Sequence, residues 1–322
     1  MLKSWFFFPL LAGMMVFLEA REERKRLAFL YAWFAALAVT ALSSLIFFAQ
    51  GIMTYDGRLS GMYPSPNFLA IFIAPGILIS LYLLSFPKEN KRSDVFKRVS
   101  LLVGGVAIVL ALFFTHSYGV WVACMIAFLV FFLGRIFLFG IRRSDKIIFL
   151  TFLLCVGTFL SLELGSEKWQ AFSSFQNRSS LASRAMIWQA ATRILSDHPI
   201  FGIGPGRFQE TYLEYQRYFP PYLEWAVPEP HNLYLAVYLS TGALGFFGFF
   251  LFVSRFVFLS VRSFFSKMDK NERFSVLFFL AILIIFLVYG MADTPYFKND
   301  LALAFFLPFF LGLPNILKKQ PL

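Results

Sequence analysis

Phe274–Ala292 reads FSVLFFLAILIIFLVYGMA, 19 consecutive residues without an acidic or basic side chain. A helix of about 20 such residues crosses the hydrocarbon core of a bilayer, because all its backbone polar groups are satisfied internally. Comparable runs lie near Ser4–Leu18, Leu27–Ala49, Phe68–Phe86, Val99–Thr115, Tyr118–Gly140, Ile147–Leu162, Leu233–Val261 and Leu301–Ile316. Together they make about nine candidate spans, the first and sixth rather short. The fourth and fifth meet at His116-Ser117 and are equally readable as one kinked pair. A soluble domain of 322 residues could not hide a composition that is 59% hydrophobic and 20% aromatic. The fold class is therefore an all-α polytopic membrane protein.

The net charge of +11 does not point to nucleic acid, since the basic residues sit in short loops between apolar runs. One set of loops holds Arg21, Arg24, Lys25, Arg26, Lys88, Lys91, Arg92, Lys97, Arg98, Arg142, Arg143 and Lys146. Arg262, Lys267, Lys270, Arg273, Lys318 and Lys319 fall on the same side, against little beyond Arg58 and Lys298 on the other. The positive-inside rule makes the first side cytoplasmic and puts the N-terminus outside, with Lys3 a small conflict. The first run ends in Phe17-Leu18-Glu19-Ala20 and a basic stretch, so it reads as a retained helix rather than a cleaved signal peptide. Cys124 and Cys155 fall within apolar runs and read as small buried side chains.

One long loop remains, about Glu163–Asn232, on the non-cytoplasmic side. It divides the chain into N-terminal helices (1–162), a large outer loop (163–232) that is expected to carry the chemistry, and C-terminal helices (233–322). Within the loop, Leu181–Asp197 has helical periodicity, with serines at its start and Pro199 beyond its end. Leu181, Ile187, Trp188, Ala191, Ile194 and Leu195 form one stripe, and Arg184 lies in its middle, opposite Arg193. Arg184 therefore either snorkels at the membrane surface or binds an anion, for which a guanidinium fork suits phosphate. Arg178 stands ready as a second cation. Next, Gly202-Ile203-Gly204-Pro205-Gly206-Arg207 reads as a tight turn or as backbone amides approaching a diphosphate. Phe208, Tyr212, Tyr215, Tyr218 and Phe219 follow at near-helical spacing, as an interfacial aromatic belt or a sugar-stacking platform. Finally His231-Asn232 stands where the loop re-enters the membrane, nine residues before Gly242-Ala243-Leu244-Gly245. A free imidazole titrates near about 6.5, which suits His231 to take a proton from an attacking hydroxyl, though a structural histidine at a helix start fits too. Gly242 and Gly245 read as close helix packing, and His198 as a favourable partner of a helix C-terminus.

The stretch His231–Gly245 resembles the histidine–amide–nine–glycine–two–glycine motif of bacterial O-antigen ligases. Arg184 to Trp188, His198-Pro199, Gly202 to Phe208 and Tyr63-Pro64-Ser65-Pro66-Asn67 are similar to the remaining signature of the O-antigen ligase and polymerase superfamily. At Phe246 the ligase motif more often has threonine. Ser117-Tyr118-Gly119 stands where many relatives carry Ser-Arg-Gly, which shifts weight to Arg178 or Arg184.

The resemblance implies a multi-spanning glycosyltransferase of GT-C-like architecture in the bacterial inner membrane, with its active side periplasmic. It implies an inverting, metal-independent reaction without a cofactor, on a glycan carried by undecaprenyl diphosphate. The acceptor would be a hydroxyl of lipid A core, of another glycan or of a protein. His231 and Arg184 are the expected catalytic residues; Arg178, Arg207, Asn232, Gly204, Gly206, Tyr212 and Tyr215 are expected to bind substrate. A repeat-unit polymerase is the alternative within the superfamily, and the histidine motif favours the ligase. A transporter is the alternative from another class, disfavoured because the span centres almost lack ionisable groups. Relatives commonly have further spans ahead of the catalytic loop, so the chain is expected to be a shortened member or to start at an internal methionine. Lys3 would then belong to an outer loop.

Overall fold

The computed structural model describes residues 6–86, 92–166, 169, 180–218 and 227–317. In chain order its helices are α1 (Phe8–Glu19), α2 (Glu23–Ala49), α3 (Pro66–Ile73), α4 (Pro75–Leu84), α5 (Arg92–Thr115), α6 (Tyr118–Phe139), α7 (Arg143–Glu163), α8 (Ser180–Asp197), α9 (Phe208–Gln216), α10 (Leu233–Phe264), α11 (Lys270–Tyr289) and α12 (Asn299–Leu317). Among the described residues there is no strand. Among the described residues, eight stretches are long and apolar enough to cross a membrane: α2, the α3–α4 pair, α5, α6, α7, α10, α11 and α12. The chain is a polytopic, all-helical membrane protein.

The first apolar run gives a shorter element: the 12 residues of α1 rise about 18 Å, against the ~30 Å of a hydrocarbon core. The sixth run is longer than its apolar residues alone, with 21 residues in α7, because the Asp145 carboxylate accepts the Arg142 backbone N–H and starts the helix ahead of Ile147. Asp145 also pairs with Arg135. The fourth and fifth runs are separate helices, with His116 at φ +47° between them. The span Pro66–Leu84 is broken at Ala74, since Pro75 has no N–H to continue the hydrogen-bond ladder.

Packing divides the chain into two compact units. One comprises Leu2–Gly134, Arg255–Tyr289 and Pro295–Leu322, the other Arg135–Ser254 and Gly290–Thr294. In the first unit α11 is buried along nearly its whole length, as a helix apolar on every side should be. Tyr82 of α4 stacks on Phe278 of α11 at 4.1 Å. Small residues let helices approach: a Cβ on Gly76 would lie 2.4 Å from Ile108 of α5, and one on Gly134 would lie 2.4 Å from Leu277 of α11. Ser65 caps α3 by accepting the Asn67 N–H, with Pro66 at the first helical position. Asn67 Oδ1 then accepts from both Arg58 Nη2 (2.8 Å) and Ser117 Oγ (3.0 Å), while Arg58 Nε donates to the Thr115 carbonyl at 2.8 Å. Thus Asn67, at the end of the Tyr63–Asn67 motif, and Ser117, of the Ser117–Gly119 triplet, meet at one partly buried polar knot that closes the end of α5.

The second unit holds α7, α8, α9 and the start of α10. Here α8 and α9 enclose Ile187, Ala191, Ile194, Phe208 and Tyr212, with Val227 and Leu239 completing the cluster. α7, equally apolar, buries only Asp145, Phe159 and Glu163 against protein, which leaves most of its surface to lipid.

Candidate functional site

The candidate site lies within the second unit, where α8, the start of α10 and the segment Gly290–Thr294 come together. α8 forms much as its periodicity predicts, one residue earlier at Ser180, and buries Met186, Ile187, Ala190, Ala191 and Ile194. Trp188 on this helix donates its Nε1–H to the backbone carbonyl of His231 at 3.2 Å. His231 itself has φ +47°, a conformation that costs a non-glycine residue on the order of 1–3 kcal/mol unless its surroundings hold it. Asn232 supplies part of that hold by capping α10: its Oδ1 accepts the N–H groups of Tyr234 (3.0 Å) and Leu235 (3.1 Å). Its Nδ2 donates to the Met291 carbonyl at 3.0 Å, and Leu233 N–H donates to the Gly290 carbonyl at 2.8 Å. The segment after α11 is thereby stitched to the segment before α10.

This stitching brings Asp293 under the imidazole. His231 Nδ1 lies 2.9 Å from Asp293 Oδ1, which also accepts the Thr294 N–H at 2.8 Å. Asp293 Oδ2 lies 3.8 Å from Arg184 Nη2. The carboxylate is 4% exposed and the imidazole 37%, so the acid is buried and the base is reachable. An acceptor-only carboxylate on Nδ1 selects the tautomer with the proton there, and leaves the lone pair on Nε2. The arrangement suits a general base whose imidazolium form is met by a buried negative charge. Arg184 Nη1 donates to Ser180 Oγ at 2.7 Å, and its buried Nε has no hydrogen-bond partner among the described residues. A half-buried arginine with an unused donor beside a base is a place for an anion.

The two glycine motifs form a single joint. Gly242 interrupts α10 at φ 69°, ψ −174°, a region essentially closed to other residues. The Ala243 N–H, which a regular helix would give to Leu239, goes instead to the Ile200 carbonyl at 2.9 Å. The freed Leu239 carbonyl accepts Ile203 N–H at 2.7 Å and Gly204 N–H at 3.3 Å. Backbone approach is so close that a Cβ on Gly202 would lie 2.3 Å from Leu239 O, and one on Gly242 would lie 2.3 Å from Ile200 O. Gly242 therefore serves a backbone break as well as close packing, and the Gly204 amide is spent within the protein.

Residues 102–250, which carry Arg184, the glycine joint and His231, match the sequence model of the family described as O-antigen ligase (Wzy_C). Over this stretch, just under half of the chain, the sequence is similar to O-antigen ligases. No curated protein matches the chain. Asp293 lies beyond the matched residues, so the site draws one of its groups from outside them.

The other residues expected to serve an O-antigen ligase site are placed as follows. Gly206 (φ +76°) continues the glycine turn into Arg207, which is 66% exposed, stands at the start of α9 and has Glu210 at 3.8 Å. Asn232 has both ends of its amide engaged within the protein, as described. Tyr212 is completely buried and stacks on Phe208 at 5.7 Å, so its ring is a core element and not a sugar platform. Tyr215 is partly buried against the same cluster and donates its hydroxyl to Asp197 Oδ2 at 2.8 Å, a bond that raises the phenol's pKa. Arg178 and Phe219 lie outside the described residues. Asp293 is the site residue that the sequence reading missed. Its signal was an acid closing an otherwise uncharged run, at the end of the very stretch that decides the fold.

Proposed function

We propose that the chain transfers a glycan from a polyprenyl diphosphate to an acceptor hydroxyl at the periplasmic face of the inner membrane, in the manner of an O-antigen ligase. The observation that carries this reading is the His231–Asp293 pair, at 2.9 Å, with Arg184 on the same carboxylate. The acceptor oxygen attacks the anomeric carbon and its proton passes to His231 Nε2. The bond from that carbon to the diphosphate oxygen breaks, and the diphosphate leaves with the electron pair. Attack opposite the leaving group inverts the anomeric centre. Asp293 holds the imidazole and stabilises its protonated form, and Arg184 meets the charge that grows on the departing phosphate.

A metal is not required in this scheme, because cationic side chains supply the electrostatic role. The outer placement is supported by basic residues at one set of helix ends, including Arg24, Arg98, Arg143, Lys270 and Arg273, while the site sits at the opposite end of α10 and α11. Lipid A core is the acceptor that the ligase resemblance favours. The test compares lipid-linked intermediates and finished glycans in cells with and without the protein. Loss of the transferase leaves lipid-linked donor on the outer side and acceptor bare. Donor retained on the inner side would identify a transporter instead, and donor carrying single repeats beside ligated acceptor would identify a polymerase.

A further inference from the structure

Away from His231, the second unit has a cleft between α8 and the end of α9 that the reaction scheme leaves unused. Its volume is about 470 Å³, and Arg193, Asp197, Glu214, Tyr215, Arg217 and Tyr218 line it. That size lies within the about 300–1,000 Å³ of small-ligand pockets. We infer that this cleft binds a neutral sugar unit of the glycan that the protein transfers or accepts.

The chemistry of the lining narrows the ligand. Among the described residues two cations and two carboxylates face it, so their charges balance. The cations already have partners: Arg193 Nε lies 3.5 Å from Asp197, and Arg217 Nη2 donates to Tyr218 Oη at 3.0 Å. A diphosphate would meet two carboxylates that offset the two cations. Among the described residues, a lipid tail or apolar peptide would meet no aliphatic side chain. A sugar matches both features of the wall, because its hydroxyls suit the carboxylates and guanidinium groups while its C–H faces suit aromatic rings. The rings are preset: Tyr215 and Tyr218 stand edge-to-face at 6.2 Å, Tyr215 is pinned by Asp197, and Arg217 covers one face of Tyr218 at 5.0 Å. The adjacent Tyr212 is consumed by the core, Tyr215 packs partly against that core while lining the cleft, and Tyr218 is exposed.

The source of the sugar rests on the transferase reading, whereas the cleft's chemistry does not. The purified full chain is titrated with two lipid-free probes and binding is followed calorimetrically. One probe is the oligosaccharide released by mild acid from the host's lipid-linked donor; the other is its delipidated lipopolysaccharide core. One probe is expected to bind, equally to wild type and His231→Ala, and the probe that binds names the source. Tyr218→Ala should weaken it about tenfold and Tyr218→Phe less than about threefold, as loss of one stacking ring predicts. Tyr218 is 61% exposed, so the alanine variant should fold, and Glu214→Gln gives a second variant of the same wall. The inference is overturned if neither probe binds, or if binding is unchanged in both Tyr218→Ala and Glu214→Gln. Transfer assays on the same proteins separate the two claims. Tyr218-dependent binding with normal transfer by His231→Ala sinks the transferase scheme alone. His231-dependent transfer with binding indifferent to Tyr218 sinks the cleft alone.

Discussion

Replacing Asp293 by asparagine tests whether the buried carboxylate acts through its charge or only through its shape. Oδ1 accepts from two donors, His231 Nδ1 and the Thr294 N–H, so the asparagine carbonyl is forced into that position. The tautomer of His231 is thereby kept. The amide NH₂ must then take the place of Oδ2, facing Arg184 Nη2 at a distance of 3.8 Å in the wild type. What is lost is the negative charge beside the forming imidazolium and opposite Arg184. A charge-assisted hydrogen bond is worth about 1.5–3 kcal/mol against about 0.5–1.5 for a neutral one, so the transition state should lose on the order of 1–2 kcal/mol. The rate should fall roughly 5–30-fold in Asp293→Asn. Asp293→Ala removes orientation as well and should approach the about 10²–10⁴-fold loss expected when general-base catalysis is gone. Because both act through one imidazole, Asp293→Ala combined with His231→Ala should be no slower than His231→Ala alone. The assay is single-turnover transfer from lipid-linked donor to acceptor by purified protein, with melting temperature as the check on folding. Wild-type rates in Asp293→Asn, or multiplicative losses in the double variant, would refute this division of labour.

Arg184→Lys should lose most transfer activity, since a point charge cannot reproduce a forked contact to phosphate; full activity in the lysine variant would return Arg184 to a snorkelling role. Gly242→Ala should lower the melting temperature and the yield of membrane-inserted protein, because the added Cβ meets Ile200 O at 2.3 Å in a backbone region closed to alanine. A variant as stable as the wild type would show that the break in α10 can be straightened. Transfer by the purified protein should persist in excess EDTA; loss there, reversed by a divalent ion, would put a metal into the mechanism.

The spans were legible because membrane helices need long uncharged runs and little else, and α11 carried that signal most plainly. Two of the three groups of the candidate site, Arg184 and His231, were also legible, one as a charge on an apolar stripe and one by its motif. Asp293 was not, since a contact between residues 62 apart leaves no periodic trace and a lone acid at a span end resembles a loop residue. Gly242 shows another limit. Spacing cannot tell a glycine that admits a neighbouring helix from one that adopts φ +69°, and here the second need is decisive. Tyr212 and Tyr215 share one aromatic run, yet helical rotation sends the first into the core and the second to Asp197. Composition names the ring and not its side of the helix.

The central claim is that His231 activates the acceptor hydroxyl in a glycan transfer. The most direct measurement is product formation by the protein reconstituted in liposomes with lipid-linked donor and lipid A core, comparing wild type with His231→Ala at equal protein and equal melting temperature. The account predicts ligated product from the wild type with release of polyprenyl diphosphate in equal amount, and a rate about 10²–10⁴-fold lower from the variant. A His231→Ala protein that ligates at the wild-type rate would contradict it.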